Sequence, residues 1–126
     1  MTNQERAEDL VTTVLLHFAE HGVHTIRADV DSEEQLRREY QIFKNTYAPM
    51  CQDITWKDIT NAVFMLQQNN VGELTWQDGC NSWQTLLTEE QRMARNTQLQ
   101  AKYGEQYITM RKLADDFFDF YSLGMD

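Results

Sequence analysis

Apolar residues recur at three- and four-residue steps along most of the chain. Leu10, Val11, Val14, Leu15 and Phe18 form one such run, the spacing of one face of an α-helix, and Gly22 supplies a residue able to turn left-handed and stop it. Leu36, Tyr40, Phe43 and Tyr47 form a second run, which closes before Pro49 because the proline ring disfavours helix in the residue ahead of it. Trp56, Ile59, Val63 and Leu66 form a third, ended by the polar stretch QQNNVG.

Each run is preceded by a side chain that can accept from the unpaired N–H groups of a first helical turn. Thr2 with Glu5, Ser32 with Gln35, Thr55 with Asp58, Thr75 with Asp78 and Thr88 with Gln91 all have capping-box spacing. After Thr88 the weak helix formers Asn96 and Thr97 and the breaker Gly104 predict helix to about Tyr103 and again from Glu105 to near Leu123. Residues 23–30, VHTIRADV, alternate like a strand, but no second strand offers itself and a lone strand leaves its backbone unpaired, so a loop is expected. The predicted fold is all-α: one domain over residues 1–126, a compact bundle of about five to six short helices, with at most one short extended segment near residues 23–30.

One phrase is written twice: DITWKD at residues 53–58 and ELTWQD at residues 73–78. With Thr55 and Thr75 as N-caps, Asp58 and Asp78 fall at the third helical position, where a carboxylate also favours the positive end of the helix dipole. Ile54 and Ile59 are spaced as a hydrophobic staple, whereas the second copy has Gly79 and then Cys80 at and after the equivalent position. On a helix, this leaves a thin surface between Trp76 and Trp83. The two indoles are candidates for a partner-binding ridge, with two core tryptophans on a duplicated helix entrance as the plainer reading.

The C-terminal segment is the most unbalanced. At 100° per residue, Met110, Leu113, Phe117 and Tyr121 centre an apolar arc, Phe118 and Phe120 lie at its edges, and Asp115, Asp116 and Asp119 lie opposite. An arc of roughly 160° exceeds the stripe of about 100° that covers a core from one side. The aspartates also sit in the last turns, where the dipole favours cations. A solvated face over a core helix would look like this. So would an acidic ridge of Asp115, Asp116 and Asp119 offered to a basic protein, with Phe118 or Phe120 as its anchor.

Composition narrows the classes. The chain has 126 residues, 41% hydrophobic and 11% aromatic, enough for one core. Twenty acidic and 11 basic side chains give a net charge of −9, which disfavours a direct grip on nucleic acid or an anionic membrane and favours a protein partner with a basic surface. Cys51 and Cys80 occur in no metal-ligand spacing, and no apolar leader or membrane span is evident, which fits a reduced cytoplasm.

Within HFAEHGVH, His17 and His21 share a helix face as two zinc ligands would. His24 lies beyond Gly22, Glu20 is expected to point elsewhere and no remote ligand is announced, so a solvated helix end is expected, with no metal and no cofactor. DVDSEE fails as a calcium loop, because Glu34 falls where the turn glycine belongs and Tyr40 where the closing Glu belongs. No phosphate loop, dinucleotide fingerprint or GxSxG elbow occurs, and enzymatic activity is not expected.

The expected function is a non-catalytic acidic protein-binding module. Its concrete form is an inhibitor that occludes a basic surface of a nucleic-acid-handling target, of the anti-CRISPR or anti-restriction kind that phages and plasmids use against host defence. The alternative is a structural subunit, or an immunity or antitoxin partner. Self-association is left open.

Overall fold

The computed structural model describes residues 2–28, 53–77 and 80–123. The predicted second helix with its Ser32/Gln35 box, the DVDSEE stretch and Cys51 lie outside the described residues. Those that are described are mainly helical, in the order α1 (Asn3–Glu20), β1 (Thr25–Ala28), α2 (Trp56–Gln68), β2 (Gly72–Gln77), β3 (Cys80–Thr85), α3 (Glu89–Tyr103) and α4 (Gln106–Leu123). Four helices are thus present among the described residues, fewer than the five to six predicted.

Three of the entrances follow the sequence. Thr2 Oγ1 accepts from the Glu5 N–H at 3.1 Å. Thr55 and Thr88 form complete capping boxes, in which the cap hydroxyl accepts from the third helical N–H and the Asp58 carboxylate or Gln91 amide oxygen accepts from the cap N–H. Ile54, just ahead of Thr55, is buried, and Ile59 packs against the same cluster. Gly104, at φ +57°, separates α3 from α4.

Two helices end in the same way. Val23 N–H donates to Phe18 C=O at 2.9 Å and Gly22 N–H to Ala19 C=O at 3.0 Å, with Gly22 at φ +81°. Val71 N–H donates to Leu66 C=O at 2.9 Å and Asn70 N–H to Gln67 C=O at 3.2 Å, with Asn70 at φ +59°. Both are Schellman stops. In each, the residue after the left-handed one packs into the cluster built on Leu15, Phe18, Leu66 and Val71, so the stop also aims the chain into the sheet.

Residues 72–77 and 80–85 depart from the prediction. They form two strands of a three-stranded antiparallel sheet, in the order β1-β3-β2. Thr75 is not a helix cap: it lies within β2, paired with Ser82. Residues 25–28 are not a loop: Thr25 to Ala28 pair with Gln84 to Asn81. Register explains the misreading. Ile26, Leu74 and Trp83 occupy one rung of one sheet face, and Ala28, Trp76 and Asn81 the next, a period of two that the Thr-x-x-Asp spacing of the repeated phrase conceals. Gly72 and Thr85 share that face and are buried, whereas Glu73 and Gln84, on the other face, are exposed.

α1 is the centre of the helical layer, packed against α2 and α4 and more lightly against α3. Contact on several sides explains why its buried set, from Ala7 through Ala19, is wider than a single stripe and includes Thr12 and Thr13. Those hydroxyls donate to the carbonyls of Glu8 and Asp9 at 2.7 and 2.8 Å, so the burial leaves them hydrogen-bonded. Leu10 and Leu16 meet Ala62, Leu99, Tyr107, Met110 and Leu113 in one cluster, while Leu15 and Phe18 belong to the other. No helix among the described residues is long and apolar enough to cross a membrane.

Candidate functional site

The densest group of ionisable side chains joins the C-terminal end of α1 to the middle of α4. His17, Glu20 and His21 stand at i, i+3 and i+4 on α1, and Arg111 and Asp115 at i and i+4 on α4, so each set occupies one helix face. His17 Nε2 lies 3.0 Å from Asp115 Oδ1. A carboxylate can only accept, so Nε2 carries the hydrogen. His21 Nδ1 lies 2.9 Å from the His17 carbonyl oxygen. That contact fixes the other ring: Nδ1–H donates, and in the neutral imidazole the lone pair is on Nε2. The two rings sit 4.5 Å apart, tilted by 40°.

Glu20 pairs with Arg111 across the same junction. The His17 side chain is 9% exposed and that of Asp115 is 51% exposed. Burial pushes the His17 imidazole below its ordinary pKa, the hydrogen bond to Asp115 opposes the shift, and the Arg111 charge reinforces it. His17, His21 and Asp115 each present a ligating atom, and these atoms lie within 4.8 Å of one another.

A second polar junction ties α1 to α3. Asp9 accepts from Lys102 Nζ at 2.6 Å and from the Tyr103 hydroxyl at 2.5 Å. Burial, with the bond to Asp9 behind it, holds the Tyr103 phenol far above its ordinary pKa. Its position between two helices and its full hydrogen bonding mark it as structural.

The residues singled out in the sequence fall in three places. Asp115 joins the histidine junction rather than standing only in an outward ridge. Asp116, Phe118 and Asp119 follow it on α4, and their side chains lie outside the described set. Trp76 and Trp83 are on β2 and β3, not seven residues apart on a helix, and share one sheet face by register. Met110 and Leu113 are buried, as the apolar arc of α4 requires.

Sequence reasoning missed Asp115 as a neighbour of His17, and it missed Ile108, an apolar residue on α4 that is 72% exposed. The first was out of reach, since the two residues are 98 positions apart. The second had a signal: Ile108 lies off the wheel centre set by Met110 and Leu113.

The molecule belongs, on its geometry, to small helical domains carrying a short antiparallel sheet. No protein-family model, no curated protein and no solved structure matches the chain.

Proposed function

We propose that this chain is a non-catalytic acidic module that binds a basic surface of a protein partner through α4. The observation that carries the reading is the exposure of Ile108, 72% open to solvent, on the stripe that holds the acids. At 100° per residue, Asp115 and Asp119 fall within about 20° of Ile108, Lys112 within about 40° and Asp116 within about 80°. Asp115 and Asp119 lie about two and three turns further along that face, with Glu105, Arg111 and Lys112 nearer to Ile108, and an aliphatic anchor on an acid-bearing helix suits a partner with an apolar pocket flanked by Lys and Arg.

The overall charge of −9 favours such an encounter. Part of the basic complement is already engaged within the fold, Lys102 with Asp9 and Arg111 with Glu20. Asp116, Phe118 and Asp119 extend the contact toward the C-terminal end of the helix. The contact is assigned to α4, on which Ile108 is exposed; Trp76 and Trp83 lie on β2 and β3.

Basic surfaces with this character are common on proteins that handle nucleic acids, and occlusion of such a surface is the concrete form of the proposal. Its test is binding to a panel of purified restriction, CRISPR-effector and other nucleic-acid-handling proteins, with duplex DNA as competitor. The reading expects a partner held at micromolar affinity or better and displaced by DNA. Binding that DNA leaves untouched, or no binding across the panel, contradicts it.

A further inference from the structure

We propose that His17, His21 and Asp115 form a binding site for a divalent transition metal ion of the zinc class, bridging α1 and α4. The donor chemistry selects the class. Two imidazoles and one carboxylate suit Zn²⁺, Co²⁺ or Ni²⁺, whereas Mg²⁺ and Ca²⁺ require all-oxygen sets. Three protein ligands leave at least one coordination position for water or for a group brought by a partner.

The positions come close to what coordination needs. With metal–ligand bonds of about 2.0–2.1 Å at tetrahedral angles, donor atoms lie about 3.4 Å apart. His17 Nε2 and Asp115 Oδ1 stand at 3.0 Å and need to open by about 0.4 Å. No pair in the group exceeds 4.8 Å, so the widest separation closes by about 1.4 Å, within reach of χ rotation. His17 is buried and supplies the fixed point, while His21 is exposed and half of the Asp115 side chain is open, so the ligands that must move are the ones with room.

The surroundings agree. His21 donates its Nδ1–H to the His17 carbonyl at 2.9 Å, the outer-shell contact that orients a metal-binding imidazole and puts its lone pair on Nε2. In the metal-free protein Nε2 carries the hydrogen toward Asp115; for the ion to take its place that hydrogen moves to Nδ1 by exchange through solvent, so the ligand is a neutral imidazole and His17 releases no net proton. The Arg111 charge stands close by, but Glu20 is paired with it. Because the ligands come from two helices, occupancy stabilises the folded chain by mass action.

The test uses the full chain stripped with a chelator and titrated with Zn²⁺ alone, read by calorimetry and by thermal melts. One ion binds per chain with a Kd of about 10 µM or tighter, and saturating Zn²⁺ raises the melting temperature by about 5–15 °C. His21→Ala weakens binding by at least about 100-fold and Asp115→Asn by at least about 10-fold, whereas His24→Ala, beyond the helix stop, leaves it unchanged. Metal-free melts of each variant confirm that it folds, and Mg²⁺ at the same concentration gives no shift. Absence of saturable binding overturns the proposal. Binding that survives both His21→Ala and Asp115→Asn identifies an adventitious ion only and overturns it equally, as does a matching response to Mg²⁺.

Discussion

Two nearly identical phrases adopt different structures, and Ala and Ser replacements of their threonines measure the difference. At the first, Thr55 Oγ1 accepts from Asp58 N–H at 3.2 Å and Asp58 Oδ2 accepts from Thr55 N–H at 2.9 Å. Both bonds are exposed to solvent, so each is worth the modest net value of a cap. Thr55→Ala should cost about 1 kcal/mol, within the ~0.5–2 kcal/mol range of N-cap losses. Asp58→Ala removes the reciprocal bond and a carboxylate favourable to the dipole, about 0.5–1.5 kcal/mol together. Each single variant removes one bond and leaves the other, whose donor is a backbone N–H, so Thr55→Ser, which keeps the cap oxygen, should stay within about 0.5 kcal/mol of the native chain.

At the second phrase Thr75 stands in mid-strand opposite Ser82 and has no first turn to cap. Thr75→Ala can still cost up to about 1 kcal/mol through lost strand preference, and Thr75→Ser, which gives up the β-branched methyl, should recover little of that cost. Urea unfolding at constant m-value supplies the free energies. Rescue by Ser as full at position 75 as at position 55 would make residues 73–78 a helix entrance and refute the sheet, and no rescue by Ser at position 55 would refute the capping box.

Two further outcomes bear on the core and on charge. Phe18→Ala, at a fully buried position beside Leu15, Leu66 and Val71, should cost about 3–5 kcal/mol, whereas Phe64→Ala, at a residue 58% exposed, should stay within about 0.5 kcal/mol; comparable losses in paired denaturant melts would count against the described core. Burial, and after it the Asp9 charge, raises the Glu8 pKa, so the folded state holds that proton more tightly than the unfolded state and the group costs stability as pH rises through the carboxylate range. Glu8→Gln should therefore raise the melting temperature at pH 7 more than at pH 4, and an equal or opposite difference contradicts the assigned shift.

What was legible in the sequence was what local physics decides. Thr55 and Thr88 cap helices because the bonds close within three residues, and Gly22 stops α1 because it reaches a positive φ without steric cost. Thr75 carries the same local signal and fails, because the strand pairing of Leu74 and Trp76 with Trp83 and Asn81 outweighs a cap worth about 1 kcal/mol. An Asp-Gly pair separates Gln77 from Cys80, the strongest short hairpin signal a sequence carries, and it was masked by the helical reading of its flanks. β1 could not be assigned alone, since its partner β3 becomes a strand only through β2. The candidate site divides in the same way: His17 and His21 share a face by helical spacing, but Asp115 reaches them only through the packing of α4 on α1.

The proposed role of α4 as an acidic contact surface is tested most directly by the ionic-strength dependence of association with a partner drawn from the panel, measured for the native chain and for the combined variant Ile108→Ser, Asp116→Asn and Asp119→Asn. The account predicts that native binding weakens at least about 10-fold between about 50 mM and about 300 mM salt, and that the variant, with an unchanged melt, binds at least about 30-fold more weakly at low salt and loses most of that dependence. A variant that binds like the native chain, with the same response to salt, would contradict it.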